Sequence, residues 1–388
     1  MIKGILSLFL LATPFISAAF CDSDVIVTTQ EDAGRVSQCK KFGGSIFVQN
    51  KDVNNLDFEN LVEVGGSIVI SENKKLGKIK LDDLKEVGDS IFFVNNTVLL
   101  GISMQKLNKA KQIVLENNPN LVTLYAENIS SITSFKVIQT AIHSLTKQNI
   151  KNLDNLEISS NPLLATIDFP KLNTCGELIL ANNNPSAVAN FPELSTLKGS
   201  TTFRDLLSVN IQNITSIQDT FNIINNFFED IRIDNISESG KDITVSGNKR
   251  LKYFSFSNLE NVYGGIQIRN NSVLNSIEDS SFKKLKYVKG AMEISGGLSS
   301  IAFPSLNKVD GSINIVSTTK LDCNKIQDKL SGIQSGKFSC ASNSAKEPTS
   351  SDSSDGNEIT SGKSNSASKL LSSSLGLLFA FIISFLFY

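Results

Sequence analysis

The chain has 388 residues, 40% of them hydrophobic and 19% charged, and a formal net charge of −1. A balance so close to neutral leaves no electrostatic case for nucleic acid or for an acidic partner. Five cysteines and no tryptophan bound the redox and aromatic chemistry that the chain can carry.

Residues 1–19 read as a secretory signal peptide. Lys3 precedes the apolar run GILSLFLLATPFI, and Ser17-Ala18-Ala19 places small residues at the cleavage-determining positions, so cleavage is expected after Ala19. Such an address is oxidising, and the cysteines are arranged to use it. Cys21 and Cys39 flank the start of the region that follows, Cys323 and Cys340 flank its end, and Cys175 stands alone. Two terminal disulfides are expected, with Cys175 a buried, inert thiol.

From residue 20 to 341 the sequence repeats. The short strands opened by Ile46, Ile68, Ile91 and Ile113 are spaced 22, 23 and 22 residues apart. Similar strands start at Leu156, Leu178, Ile243, Ile266, Met292 and Ile313, and the 267 residues from Ile46 to Ile313 divide into twelve intervals of 22.25. A period of this size signals a solenoid, because one unit cannot bury its apolar side alone while stacked units share a core. The spacing predicts a mainly β, right-handed solenoid of about thirteen coils, leucine-rich-repeat-like or β-helical in cross-section, on the order of 60 Å long at about 4.8 Å per coil. Two halves, about 20–150 and 151–341, are one way to divide it.

Within a coil, glycine pairs such as Gly65-Gly66 are expected to supply a positive-φ turn onto the strand. The I-x-[IV] strand points two side chains inward and one outward. Asparagines four or five residues further on (Asn50, Asn73, Asn117, Asn161, Asn182, Asn248, Asn270) suit a corner where the amide satisfies backbone groups. Leu56, Phe58, Leu61 and Val64 are expected to point inward. Five sequons, at Asn95, Asn128, Asn213, Asn235 and Asn270, mark N-glycosylation sites on exposed corners.

The outward middle positions of the strands bear on function. Phe47, Val69, Phe92 and Val114 are apolar, whereas Glu157, Thr244, Gln267, Glu293 and Asn314 are polar and Ile179 is the exception. An apolar stripe on the first four strands points to a protein contact or self-association, or else to burial under a second layer. Glycoside chemistry needs two carboxylates about 5–10 Å apart. Glu157 and Glu293 lie about six coils apart, on the order of 30 Å, so they cannot act as a pair. The run LDDLKEV at 81–87 fits an exposed corner better than a calcium site, and His143 has no metal-spaced partner. A non-catalytic protein without a cofactor is the expectation, with glycan binding or remodelling as the alternative.

Residues 342–365 form a Ser-rich stem unable to pack a core. An apolar tail follows and runs to Tyr388 with no basic residue after it. Small residues, a spacer and a removed tail make a glycosylphosphatidylinositol (GPI) signal, with 366–388 as the propeptide and Asn365 as the preferred attachment residue.

The repeats GGSI at 43–46 and 65–68, V-x-G-S-I at 309–313, the Cys323/Cys340 pair, the sequons, the stem and the tail together resemble a fungal family. These are the GPI-anchored wall glycoproteins of the extracellular-mutant and sporulation-specific type, with receptor-L-domain-like repeats. The resemblance implies anchorage in the plasma membrane through the GPI lipid, wall proteins or glucan as partners, and a role in wall integrity or spore-wall assembly. It implies no catalytic residue. The stem is shorter than the family's, and Lys363 lies two residues before Asn365, which favours retention at the membrane.

Overall fold

A computed structural model describes residues 18–343, apart from 50–52 and 147. The signal sequence up to residue 17, Asn50, nearly all of the stem, Asn365 and the apolar tail lie outside the described residues. Among those described, every strand pairing is parallel, and the chain forms a β-solenoid of about fourteen turns.

The in-register column of the main strands runs Ile46, Ile68, Ile91, Ile113, Phe135, Leu156 and Leu178, then Thr201, Phe221, Ile243, Ile266, Met292 and Ile313. Phe135 fills the double gap in the sequence repeat, and Thr201 and Phe221 fill the triple one. One further strand precedes the column, Val25–Ile26, and one follows it, Phe338–Ser342. Each end is closed by a disulfide: Cys21 is bonded to Cys39 and Cys323 to Cys340. The helix Gln30–Val36 lies between the first pair and Cys323–Leu330 opens the second, so a terminal coil that would otherwise expose its apolar layer is covered.

A coil has three sides. The main strand is followed by a short second strand, such as Gly101–Ser103, and then by a two-residue third strand, such as Glu86–Val87. All three turn apolar residues inward, and one apolar cluster runs continuously from Val27 to Leu330. Leu56, Phe58, Leu61 and Val64 are buried in it. Aromatic rings from successive coils stack along its axis, with centroids 5.7 Å apart for Phe169–Phe191, 5.7 Å for Phe256–Phe282 and 5.4 Å for Phe282–Phe303. Gln148 occupies the same column between Ala126 and Phe169. It is buried, and its Oε1 has no hydrogen-bond partner.

Two local expectations need correction. The glycine pairs do not supply positive φ; they allow coils to touch. A Cβ on Gly65 would lie 2.5 Å from the Gly43 carbonyl oxygen, and one on Gly311 would lie 2.5 Å from the Gly290 carbonyl carbon. Left-handed backbone instead occurs at the end of the main strand, at Glu72, Asn95, Asn117, Gln139, Ser160, Asn182, Asp205, Asn225, Gly247 and Asn270.

The residue after eight of these is an asparagine that carries the corner's hydrogen bonds; Thr140 and Leu206 follow the other two. Asn73, Asn96, Asn118, Asn161, Asn183, Asn226, Asn248 and Asn271 are all buried. Asn248 is representative. Its Nδ2 donates to the Ile223 carbonyl of the coil before (3.0 Å) and to Asn271 Oδ1 of the coil after (3.1 Å), while its own Oδ1 accepts from Asn226 N at 2.8 Å. Asn73, Asn161 and Asn248 were therefore placed correctly by the sequence, whereas Asn117, Asn182 and Asn270 are the left-handed neighbours of the asparagines that form the ladder.

Candidate interaction surface

The outward middle position of the main strands forms one column on the sheet surface. Its first five members, Ile26, Phe47, Val69, Phe92 and Val114, stand in register on adjacent strands. Ile26 is 64% exposed, Phe47, Val69 and Phe92 are half-buried, and Val114 is 7% exposed. Exposure thus falls along these five, and only the first four keep substantial solvent-accessible surface.

The next two members end the stripe with charge. Lys136 and Glu157 are paired at 3.1 Å. Beyond them come Ile179, Thr202, Asn222, Thr244, Gln267, Glu293 and Asn314. The unanticipated strands thus added Lys136, Thr202 and Asn222 to the polar part.

Residues considered for chemistry do not converge. Six coil steps separate Glu157 from Glu293 in this column. Asp83 pairs with Lys106 at 2.7 Å and Asp82 accepts from Ser103, both across to the next coil. Among the described residues no group of His, Cys, Asp and Glu is placed to hold a metal ion.

Cys175 is buried, and its Sγ donates to the Glu177 carbonyl at 3.3 Å. Burial pushes its thiol up to about 12 from an ordinary 9.0. Above pH 9 the unfolded chain gives up this proton while the folded chain keeps it. The unfolded state then binds fewer protons, and stability falls as pH rises from about 9 to about 12, by up to roughly 1.4 kcal/mol per pH unit. Cys175→Ala is expected to flatten this slope, measured by denaturant unfolding between pH 8 and 11. A wild-type slope that the substitution leaves unchanged would remove the assignment.

The sequons fall into two groups. Asn128, Asn213 and Asn235 occupy the same turn between the second and third sides, exposed, each donating Nδ2 to a carbonyl of the preceding coil at 2.6–2.8 Å. Asn95 and Asn270 occupy left-handed corners beside the main strands. Three of the five acceptor positions therefore lie off the main sheet.

A disulfide-capped parallel solenoid with a partly apolar main sheet is a repeat protein whose stacked coils share one core. No family model matches the sequence. The chain is a relative of fungal GPI-anchored cell-surface and sporulation-specific proteins. It is 28% identical over 341 residues to a cell surface GPI-anchored protein of Arthroderma benhamiae, covering 87% of each chain. It is 28% identical over 329 residues to sporulation-specific protein 22 of Saccharomyces cerevisiae, covering 83% of this chain and 70% of that one. Protein ecm33 of Aspergillus fumigatus is 26% identical over 92% of this chain and 89% of its own. A solved leucine-rich repeat protein from Bacteroides ovatus is 13% identical, covers 74% of this chain and 94% of its own, and superposes with a TM-score of 0.27, too loosely to carry an argument.

Proposed function

We propose that this chain is a GPI-anchored glycoprotein of the fungal cell surface that organises the wall as an interaction scaffold, without a catalytic step of its own. The observation that carries the proposal is the match over 87% of both chains to a protein named for that anchor and that surface. A rigid, capped stack of coils suits the role, because each coil adds contact surface without changing the core. Sporulation-specific relatives extend the reading to assembly of the spore wall.

The apolar column Ile26, Phe47, Val69 and Phe92 is the contact face in this reading, with Val114 buried at its end, and it takes a protein partner or a second copy. Contiguous exposed apolar surface of this kind marks contact sites. Glycans at Asn128, Asn213 and Asn235 would leave it bare.

Phosphatidylinositol-specific phospholipase C is expected to release the mature protein from membranes, with the lipid carried at Asn365. Retention in the membrane fraction after treatment would rule out the anchor. Deletion is expected to sensitise cells to wall-binding dyes, and wild-type resistance together with normal spore walls would rule out the wall role.

A further inference from the structure

The last coils carry a feature outside the apolar column. In the segments Tyr263-Gly-Gly-Ile-Gln267 and Lys289-Gly-Ala-Met-Glu293, the position before the inward strand residue is Gly265 and Ala291. Neither places a long side chain on the surface, while larger groups stand on both sides. The result is a cleft of about 380 Å³ lined by Asp242, Tyr263, Gln267, Lys289 and Glu293 over a floor of glycine and alanine backbone. The floor is imposed by stacking: a Cβ on Gly265 would lie 2.8 Å from the Ala291 carbonyl oxygen.

Its chemistry is specific. Tyr263 is 44% exposed, and the ring of Tyr287 packs edge-on against it with centroids 6.3 Å apart. Tyr287 is itself held by Asp310, its hydroxyl donating to Oδ2 at 2.5 Å. An exposed phenol ring is thus fixed at the rim of the cleft. Around it stand groups with spare hydrogen-bonding capacity. Asp242 uses Oδ1 to accept from Gly265 N at 2.6 Å, which leaves Oδ2. Gln267 uses Oε1 to accept from Arg269 at 2.8 Å, which leaves both Nε2 hydrogens. Among the described residues Lys289 makes no ion pair within 4 Å.

We infer that this cleft binds a neutral saccharide. An aromatic face, a carboxylate, an amide and an ammonium with free hydrogen-bonding positions match a ring that has apolar C–H faces and hydroxyls at its edge. Asp242 and Glu293 are balanced by Lys289 and by Arg269, which pairs with Glu293 at 3.6 Å, so no excess positive charge selects a phosphate or an acidic polymer. A volume near the lower end of the range of about 300–1,000 Å³ usual for ligand sites suits a short saccharide segment. The site does not depend on the wall reading, since it concerns recognition rather than location.

The test is calorimetric titration of the complete secreted ectodomain with soluble glucose-polymer oligosaccharides and, separately, with a mannose-rich N-glycan. One arm represents a polysaccharide strand and the other a glycan on a protein. Weak binding, roughly millimolar, is expected in one arm. Tyr263→Ala and Gln267→Ala should each weaken it at least tenfold, whereas Tyr125→Ala, an exposed tyrosine on the second side of a distant coil, should leave it unchanged. Both substituted side chains lie at the surface, so unchanged unfolding midpoints are expected as well. Absence of binding in both arms overturns the inference, as does binding that survives both cleft substitutions.

Discussion

Asn226→Ala should be among the most damaging single substitutions in this protein, and Asn225→Gly, one residue away, nearly silent. Asn226 is fully buried. Its Nδ2 donates to the Phe203 carbonyl at 2.9 Å and to Asn248 Oδ1 at 3.1 Å, and its Oδ1 accepts from Leu206 N at 3.1 Å. Alanine leaves the buried Leu206 N–H without its partner and removes one bond from the Phe203 carbonyl, which stays in the strand ladder with the next coil. Each buried polar group left unpaired costs about 1–3 kcal/mol, and the void left by the amide adds to that. A total of about 3–5 kcal/mol is expected, read as a lower denaturant midpoint. Asn225 has φ 57°, and Gly247 takes the equivalent place in the next coil. Glycine there adopts the same left-handed backbone without strain, so a change within about 1 kcal/mol is expected. Equal losses from the two substitutions would show that the amide ladder contributes nothing beyond its backbone.

The same pair of asparagines shows where sequence reasoning reached and where it stopped. The period is legible because the inward positions of most main strands are aliphatic, a pattern that only stacking explains. Phe135, Thr201 and Phe221 hid their coils because Phe and Thr also occupy the inward position but break the I-x-[IV] pattern, Thr201 with its hydroxyl buried and unpaired. The ladder was misplaced by one residue at 117–118, 182–183 and 270–271, where two asparagines adjoin. One of each pair is there for its tolerance of positive φ and the other for its amide, and residue type alone does not separate these reasons. A usable signal exists: the ladder asparagine stands three residues before a buried leucine in N73-K-K-L76, N96-T-V-L99, N161-P-L-L164 and N248-K-R-L251. In the last three of these turns the leucine N–H returns to the asparagine carbonyl, as in Leu99 to Asn96 at 3.2 Å. The glycine pairs misled for a related reason. Glycine permits both positive φ and close approach, and only the neighbouring coil decides which is used. The saccharide cleft was invisible because it is made by what Gly265 and Ala291 lack.

The double substitution Phe47→Ser and Phe92→Ser should leave secretion intact and abolish the contact made by the N-terminal coils. Val69 lies between them in the column, so together they remove the two largest members of a continuous apolar strip. Both rings are half-buried by their neighbours. Losing them therefore costs the folded chain only part of the roughly 1.5–3 kcal/mol that full burial of such a side chain is worth. Eight ladder asparagines and two disulfides elsewhere hold the stack. In a complex, the open halves of the same rings become buried, and that gain is available to binding after the costs of association. Normal abundance at the cell surface with loss of a co-purifying partner, or of self-association measured by sedimentation, is the expected result. Retention in the secretory pathway would mean instead that the rings are needed for folding, since only buried side chains leave cavities costly enough to block export. Normal abundance with every association preserved would show that the stripe is surface without a role. Ser is the informative replacement: it keeps the strand register and removes the aromatic area without adding charge beside the Lys136–Glu157 pair that closes the stripe.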